Sequence, residues 1–259
     1  MKTVRFPLRW TIVLLVLFLQ GKSCVSVFAQ INTDRMMTVG RNALYYDDYV
    51  LSIQYFNRVI YAKPHLHEPF FYRALAKFYL EDFTGAEADC NETIHRNPFY
   101  PSTYELRGLA RINLGKFALA SEDYQQATIY TPENKALWHN WVLCNIQLDR
   151  LQLADSISNT IISKWPKYVD GYVLKAQIRL AQKDTLAAEA YADSALYIAA
   201  DNAPSLRFKA SMLLSRKEWQ PADSLLTKSI ELQPRDPRNY INRALARYHL
   251  KNLRGAMSD

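Results

Sequence analysis

The feature that leaves this chain the fewest choices is a spacing. Prolines stand at Pro64, Pro98, Pro132, Pro166 and Pro234, all on one 34-residue step, with Ala200 filling the single missing place. A small residue keeps the same step at Ser52, Ala86, Ala120, Ala154, Ala188, Ala222 and Ala256. A second small series, Gly40, Ala74, Gly108, Val142, Ala176, Ala210 and Ala244, runs in phase and is interrupted only by Val142. Four residues before each member of that series stands a large side chain: Met36, Phe70, Tyr104, Trp138, Tyr172, Leu206 and Tyr240. An ordinary helical bundle has no reason to hold a fixed period without insertions, whereas stacked copies of one supersecondary unit must.

The unit is clearest from Pro101 to Asn134, which reads as two short amphipathic helices joined by a tight turn at Leu114-Gly115-Lys116. Gly108, Ala120 and Ala127 sit where two helices must touch, because helix axes reach separations of about 8–10 Å only over small side chains. Tyr104, Phe117 and Tyr124 fill the space between them, and Pro132 stops the second helix. So spaced, the segment resembles a tetratricopeptide repeat, a helix-turn-helix unit of this length. The resemblance implies an all-α fold, an α-solenoid of antiparallel helix pairs over residues 30–259. Its repeats are 33–66, 67–100, 101–134, 135–168, 169–202 and 203–236, with a partial seventh at 237–259. Two departures carry expectations. Val142, beside Trp138 and Trp141, should open the helix spacing of the fourth repeat. Without a proline at 200, Tyr197-Ile198-Ala199 should extend the second helix of the fifth by a turn. The chain stops at Asp259 inside a helix with no polar cap, so a piece of a longer protein is expected.

Residues 1–29 stand apart. Lys2, Arg5 and Arg9 precede an apolar run from Trp10 to Leu19, and Val27-Phe28-Ala29 offers small residues where a signal peptidase reads. This pattern predicts a secretory signal cut before Gln30 and a periplasmic protein. The rivals are a membrane anchor, for which the run is short and Lys22 interrupts it, and an outer-membrane lipoprotein at Cys24. Without this segment 28 basic residues face 25 acidic ones, a net charge of +3 in place of +7 for the whole sequence. No basic stripe remains, which argues against nucleic acid as a partner.

Chemistry is hard to find in the repeats. Cys90 and Cys144 are separated by a full repeat, too far for a disulfide, and are expected to be small buried hydrophobes. His65 and His67 lie in a turn without a third ligand, so no metal site is predicted. No nucleophile is paired with a base, and no glycine loop is built to hold phosphate. The expectation is a protein that is not an enzyme and uses no cofactor or small-molecule substrate.

The tetratricopeptide resemblance implies instead a groove lined by the first helices. Carried onto this sequence, its N-terminal part offers Arg41, Phe71, Tyr72, Leu75, Phe78, Tyr79, Glu105 and Leu109. Further along come His139, Asn140, Gln177, Arg207, Ser211 and Asn242. The set is apolar and aromatic at one end and polar at the other. It lacks the ordered lysines and asparagines of relatives that clamp a C-terminal carboxylate. An exported scaffold binding a peptide or protein segment is the first expectation. The second is a sensory or regulatory module of a longer receptor or enzyme whose effector domain lies beyond residue 259. The end of the leader and the recurring Ala-Asp-Ser triplets resemble large exported repeat proteins of Bacteroidota. That resemblance implies O-glycosylation at Asp-Ser/Thr-aliphatic triplets, with Ser156, Thr185, Ser194 and Ser224 as acceptors.

Overall fold

The computed structural model describes residues 32–259, so the expected leader at 1–29 lies outside the described residues. Among the described residues every regular element is an α-helix. They fall into two compact units divided after Pro64. The first holds α1 (Thr33–Tyr45) and α2 (Tyr49–Ala62). Asn32 and Asp48 cap them, each side chain accepting a backbone N–H three residues on. Gly40 is where the pair closes: a Cβ there would stand 2.8 Å from Cε1 of the buried Phe56.

The second unit, residues 65–259, repeats that hairpin. Its pairs are α3 (Glu68–Tyr79) with α4 (Phe83–Arg96), α5 (Pro101–Asn113) with α6 (Phe117–Tyr130), and α7 (Lys135–Gln147) with α8 (Leu151–Lys164). They continue as α9 (Val169–Ala181) with α10 (Thr185–Ile198), α11 (Ala203–Ser215) with α12 (Trp219–Leu232), and α13 (Pro237–His249) with α14 (Leu253–Ser258). The boundaries fall on the 34-residue step read from the sequence, except that α3 begins one residue late at Glu68 and α14 closes at Ser258.

One turn closes each first helix. After α5, the Lys116 N–H donates to the Arg111 carbonyl at 2.7 Å and the Gly115 N–H to that of Ile112 at 2.9 Å. These are the paired bonds of a Schellman end, which needs one left-handed residue. That residue is Gly115 here, and Asp47, Glu81, Asp149, Lys183, Lys217 and Lys251 in the other repeats, all at positive φ.

In four repeats the large residue near the start of the first helix does more than fill a wedge. The hydroxyls of Tyr104, Tyr172 and Tyr240 donate to the carbonyls of Pro98, Pro166 and Pro234, each at 3.0 Å, and the Trp138 indole N–H donates to Pro132 in the same way. One repeat is thereby tied to the next. Where the proline is replaced by Ala200, the anchor is Leu206, which has no donor to offer. The missing proline does not lengthen α10, which ends at Ile198 with the same 14 residues as α6, α8 and α12. Ala199 turns extended and the Asn202 side chain caps α11 through the Ser205 N–H at 2.9 Å, so the expected extra turn is absent.

The small contact position is matched by size to the residue sixteen places later. Gly40 faces Phe56, and a Cβ on Gly108 would stand 3.0 Å from Cζ of Tyr124. At the corresponding places of the fourth repeat stand Val142 and Ser158, both buried. The backbones of α7 and α8 run close over a shorter stretch than those of the other full pairs, in keeping with the opening expected at Val142.

Candidate functional site

In the second unit successive first helices touch: α3 with α5, α7 with α9, α9 with α11, and α11 with α13. Successive second helices do not come comparably close. The stack of residues 65–259 therefore curves with its first helices inside, and their solvent side is the candidate face. The step from α5 to α7 is looser than the other first-helix contacts.

Cations on the packing side of these helices are consumed by the fold. Arg107 and Arg111 both reach Asp123, at 2.6 and 2.7 Å, and Arg111 and Lys116 reach back to Glu87 of the preceding repeat at 2.9 and 2.6 Å. Arg73 and Lys77 share Asp89 in the same way. The buried Lys175 and Arg179 take Asp155, and Lys209 and Arg216 take Glu189. At the chain end Arg243 and Arg247 hold Asp259, and Arg247 also holds Asp223. The sequence reading missed this lattice, although its residues keep the same 34-residue register.

The residues expected along the groove divide in three. Phe71 is buried, 8% exposed, and stacks edge-on against Tyr72 and Tyr100, so it belongs to the packing. Tyr72, Leu75 and Phe78 are half-buried on α3, and Tyr79 is 54% exposed; Phe78 leans on Phe83 with ring centroids 5.3 Å apart. Glu105 and Leu109 on α5, His139 and Asn140 on α7, and Gln177 on α9 are also half-buried. Arg207 and Ser211 on α11 and Asn242 on α13 share that intermediate exposure, but Arg207 is already paired with Asp236. Arg41 is exposed on α1, in the other compact unit.

Three polar side chains on α5, α6 and α7 have few or no partners among the described residues. Glu105 makes no hydrogen bond or ion pair among the described residues, and burial alone raises its carboxyl above the usual range. The Tyr124 ring runs beneath Gly108, and its buried hydroxyl makes no hydrogen bond of full geometry, with the Asn140 side chain acting on it as a weak partner. Burial, with Cys144 and Glu105 nearby, pushes that phenol up. His139 Nδ1 is likewise buried and unpartnered; burial lowers the imidazole pKa, against a smaller opposite pull from Asp170. A buried polar atom left unpaired costs about 1–3 kcal/mol, and His139 Nδ1 is such an atom on a first helix.

Other sequence candidates resolve more simply. Cys90 and Cys144 are free and buried; burial pushes both thiols up, Cys144 to about 11. His67 Nε2 lies 3.2 Å from Asn97 Nδ2 and its ring packs on Tyr100. Among the described residues no group of three His, Cys, Asp or Glu side chains could hold a metal ion. Ser156, Thr185 and Ser224 are exposed on second helices, while Ser194 is half-buried and donates to the Ala190 carbonyl. The aspartates before them have structural work: Asp155, Asp193 and Asp223 are ion-paired, and Asp184 caps α10.

This architecture is a tetratricopeptide-type α-solenoid. The tetratricopeptide repeat family model matches residues 101–134. Solved structures extend the likeness of fold to most of the chain. A tetratricopeptide repeat protein from Parabacteroides merdae has a TM-score of 0.64 at 15% identity, covering 83% of this chain and 84% of that one. MamA gives a TM-score of 0.61 at 16% identity over 64% of this chain and 91% of its own. YrrB, described as a tetratricopeptide repeat protein with an unusual peptide-binding site, gives 0.51 at 15% identity over 76% of this chain and 98% of that chain. No curated protein matches the sequence.

Proposed function

We propose that the chain is an exported scaffold whose first-helix face in residues 65–259 binds a peptide segment of a protein partner. The observation that carries this reading is the contrast between two sides of the same helices. On the packing side the cations are paired by the fold; on the open side Tyr72, Leu75 and Tyr79 of α3 present apolar surface, and Glu105 on α5 and His139 Nδ1 on α7 have no partner among the described residues. Apolar anchors and polar groups awaiting partners suit an extended or helical peptide. YrrB, a protein of the same fold with a peptide-binding site, supports the ligand class.

The test is selection of a displayed random peptide library on the purified chain. Selected peptides should bind at least about tenfold more weakly after Tyr72→Ala with Tyr79→Ala, each contact of this kind being worth roughly 1 kcal/mol or more. Tyr197→Ala, an exposed change on a second helix, should leave binding intact. The reverse pattern would move the site to the outer surface. Export is tested by N-terminal sequencing of the native protein, which should begin at Gln30. The exposed Ser156, Thr185 and Ser224, with Ser194, are proposed as glycan acceptors. An intact mass equal to the unmodified chain would remove that assignment.

A further inference from the structure

We propose that the outer face of α10 is a contact between two copies of this chain, their α10 helices paired antiparallel about a two-fold axis. The surface lies on a second helix and stands apart from the first-helix groove. Two side chains mark it: Leu186, 80% exposed at the start of α10, and Tyr197, 93% exposed near its end. Ala190 and Ser194 complete the line between them on that face. The four matching places include Arg58 on α2, Glu92 on α4, Gln126 on α6, Gln152 on α8 and Lys228 on α12. Only α10, among the full second helices, lacks a charged or amide side chain along this line.

A cleft opens beside the line because one anchor ring is left uncovered. In the second, third and fourth repeats the side chain 26 residues on lies across the ring. Arg96 stands 4.0 Å over Phe70, Tyr130 lies 5.8 Å from Tyr104, and Lys164 is 5.9 Å from Trp138. The fifth repeat sets Ile198 against Tyr172, and Ile198 is too short to cover it. An open cleft of about 580 Å³ remains, with Pro166, Tyr172, Ala190, Ser194, Tyr197 and Ile198 among its walls.

A second copy carries what fits this cleft. With Ala190 of one α10 opposite Ser194 of the other, antiparallel pairing sets Leu186 opposite Ile198 and Lys183 opposite Asp201. The small residues at the crossing let the helix axes approach to about 8–10 Å. Each Leu186 then enters the other copy's cleft between Tyr172 and Tyr197, and the two-fold makes the insertion twice. Lys183 is exposed, and Asp201 keeps 70% of its side chain exposed while paired with Lys228, so opposite charges meet at both ends. The acids flanking the line are neutralised within each copy, Asp193 by Lys209 and Glu189 by Lys209 and Arg216. One helix thus holds both knob and hole in the register a two-fold requires, which assigns a second copy rather than an unrelated protein. A glycan on Ser194 would fill the crossing, so the contact and that modification exclude each other.

One helix face per copy is small beside a permanent interface, so the dissociation constant should be on the order of micromolar or weaker. Sedimentation of the purified chain, unmodified at Ser194, over concentrations spanning that range should show monomer passing to dimer. Leu186→Asp should weaken association by about tenfold or more, since it drives a charge into an apolar cleft. Because Leu186 is largely exposed in a single copy, Leu186→Asp should melt as the dilute unaltered chain does, which separates lost association from lost folding. Ile129→Asp, on an exposed apolar residue of α6, should leave the dimer intact. Lys183→Glu should weaken association, and Lys183→Glu with Asp201→Lys should restore it. A chain that stays monomeric throughout would overturn the proposal. So would a dimer indifferent to Leu186→Asp, or one that Ile129→Asp disrupts as strongly.

Discussion

The third and fourth repeats build the same helix pair with different chemistry. In the third, Gly108 lets the Tyr124 ring pass, and Arg107 and Arg111 converge on Asp123. In the fourth, the contact is Val142 with Ser158 sixteen residues on, and the places of the two arginines are taken by Trp141 and Asn145. Trp138, Trp141 and Trp165 pack together there, with Lys164 over Trp165 at 5.0 Å. The acid that would serve a cation from the preceding repeat is also gone: Ser121 stands where Glu87 and Asp155 stand elsewhere. It accepts from Asn145 Nδ2 at 3.0 Å. Each substitution in one helix is matched in its neighbour. The fold thus fixes helix positions and leaves ionic, aromatic or neutral contacts as interchangeable means of holding them.

The sharpest way to break that conclusion is to remove the shared acid. Asp123 is 2% exposed along its side chain, so Asp123→Ala leaves Arg107 only Asn91 and Arg111 only Glu87 as side-chain partners, and should cost about 3 kcal/mol in urea unfolding. Burial pushes the Asp123 carboxyl up despite the opposing pull of Arg107 and Arg111, and a buried ionic cluster replaced whole by apolar side chains of similar size is often no less stable. Converting all three at once, with Arg107→Met, Arg111→Met and Asp123→Leu, should therefore recover most of the loss. A triple variant as unstable as Asp123→Ala would show that the contacts are not interchangeable.

Size matching gives the next effect. Gly108→Leu should cost about 1–3 kcal/mol, because the Tyr124 ring already occupies the space, while Ser102→Leu on the exposed face should cost little. In the fourth repeat, Ser158→Tyr should be destabilising alone and relieved by Val142→Gly. Additive losses in that double variant would mean the two residues do not share one space.

Ionic and aromatic repeats should also part in acid. Arg216 and Lys209 hold the Glu189 carboxyl down to about 2, against 4.5 for an ordinary glutamate. The folded state then binds that proton less readily than the unfolded chain. Its stabilisation is present above about pH 4.5 and is lost as pH falls toward 2. Urea midpoints should fall through that window, and Glu189→Gln should flatten the decline. An equal decline in the variant would assign it to other carboxylates, such as Asp236, which Arg238 also holds near 2.

The fold was legible because packing imposes a period: small and large residues repeat wherever helix axes must approach, and no partner is needed to see it. The ion-pair lattice was equally periodic, yet a lysine or arginine on a helix reads as a solvated face until its acid, 16 or 24 residues away, is known to lie opposite. The recurring Asp-Ser triplets drew attention for their hydroxyls, while Asp155 and Asp223 recur because each serves a cation of the next repeat. Glu105 and His139 were named as groove residues from their place in the repeat. Whether such a side chain finds a partner depends on what lies opposite it, which no one-dimensional pattern encodes.

The smallest effect tests the turn that both repeats share. Gly115 and Asp149 hold the same left-handed place, with φ of 71° and 55°. No atom lies within 4 Å of a Cβ built on Gly115, so a side chain there meets no packing obstacle and only the backbone conformation resists it. An L-residue in this region is strained by about 1–2 kcal/mol, less for aspartate, which tolerates it best. Glycine avoids the strain but has more freedom to lose from the unfolded chain, an offset of roughly 0.4–1 kcal/mol. The balance favours glycine by a few tenths to about 1 kcal/mol. Asp149→Gly should therefore raise the urea midpoint slightly, Gly115→Asp should lower it by a similar amount, and Lys183→Gly, which relieves a longer side chain at φ 65°, should gain at least as much as Asp149→Gly. If Asp149→Gly and Gly115→Asp both destabilise, each turn is tuned to its own repeat, and the interchangeability of the two repeats ends at the turn.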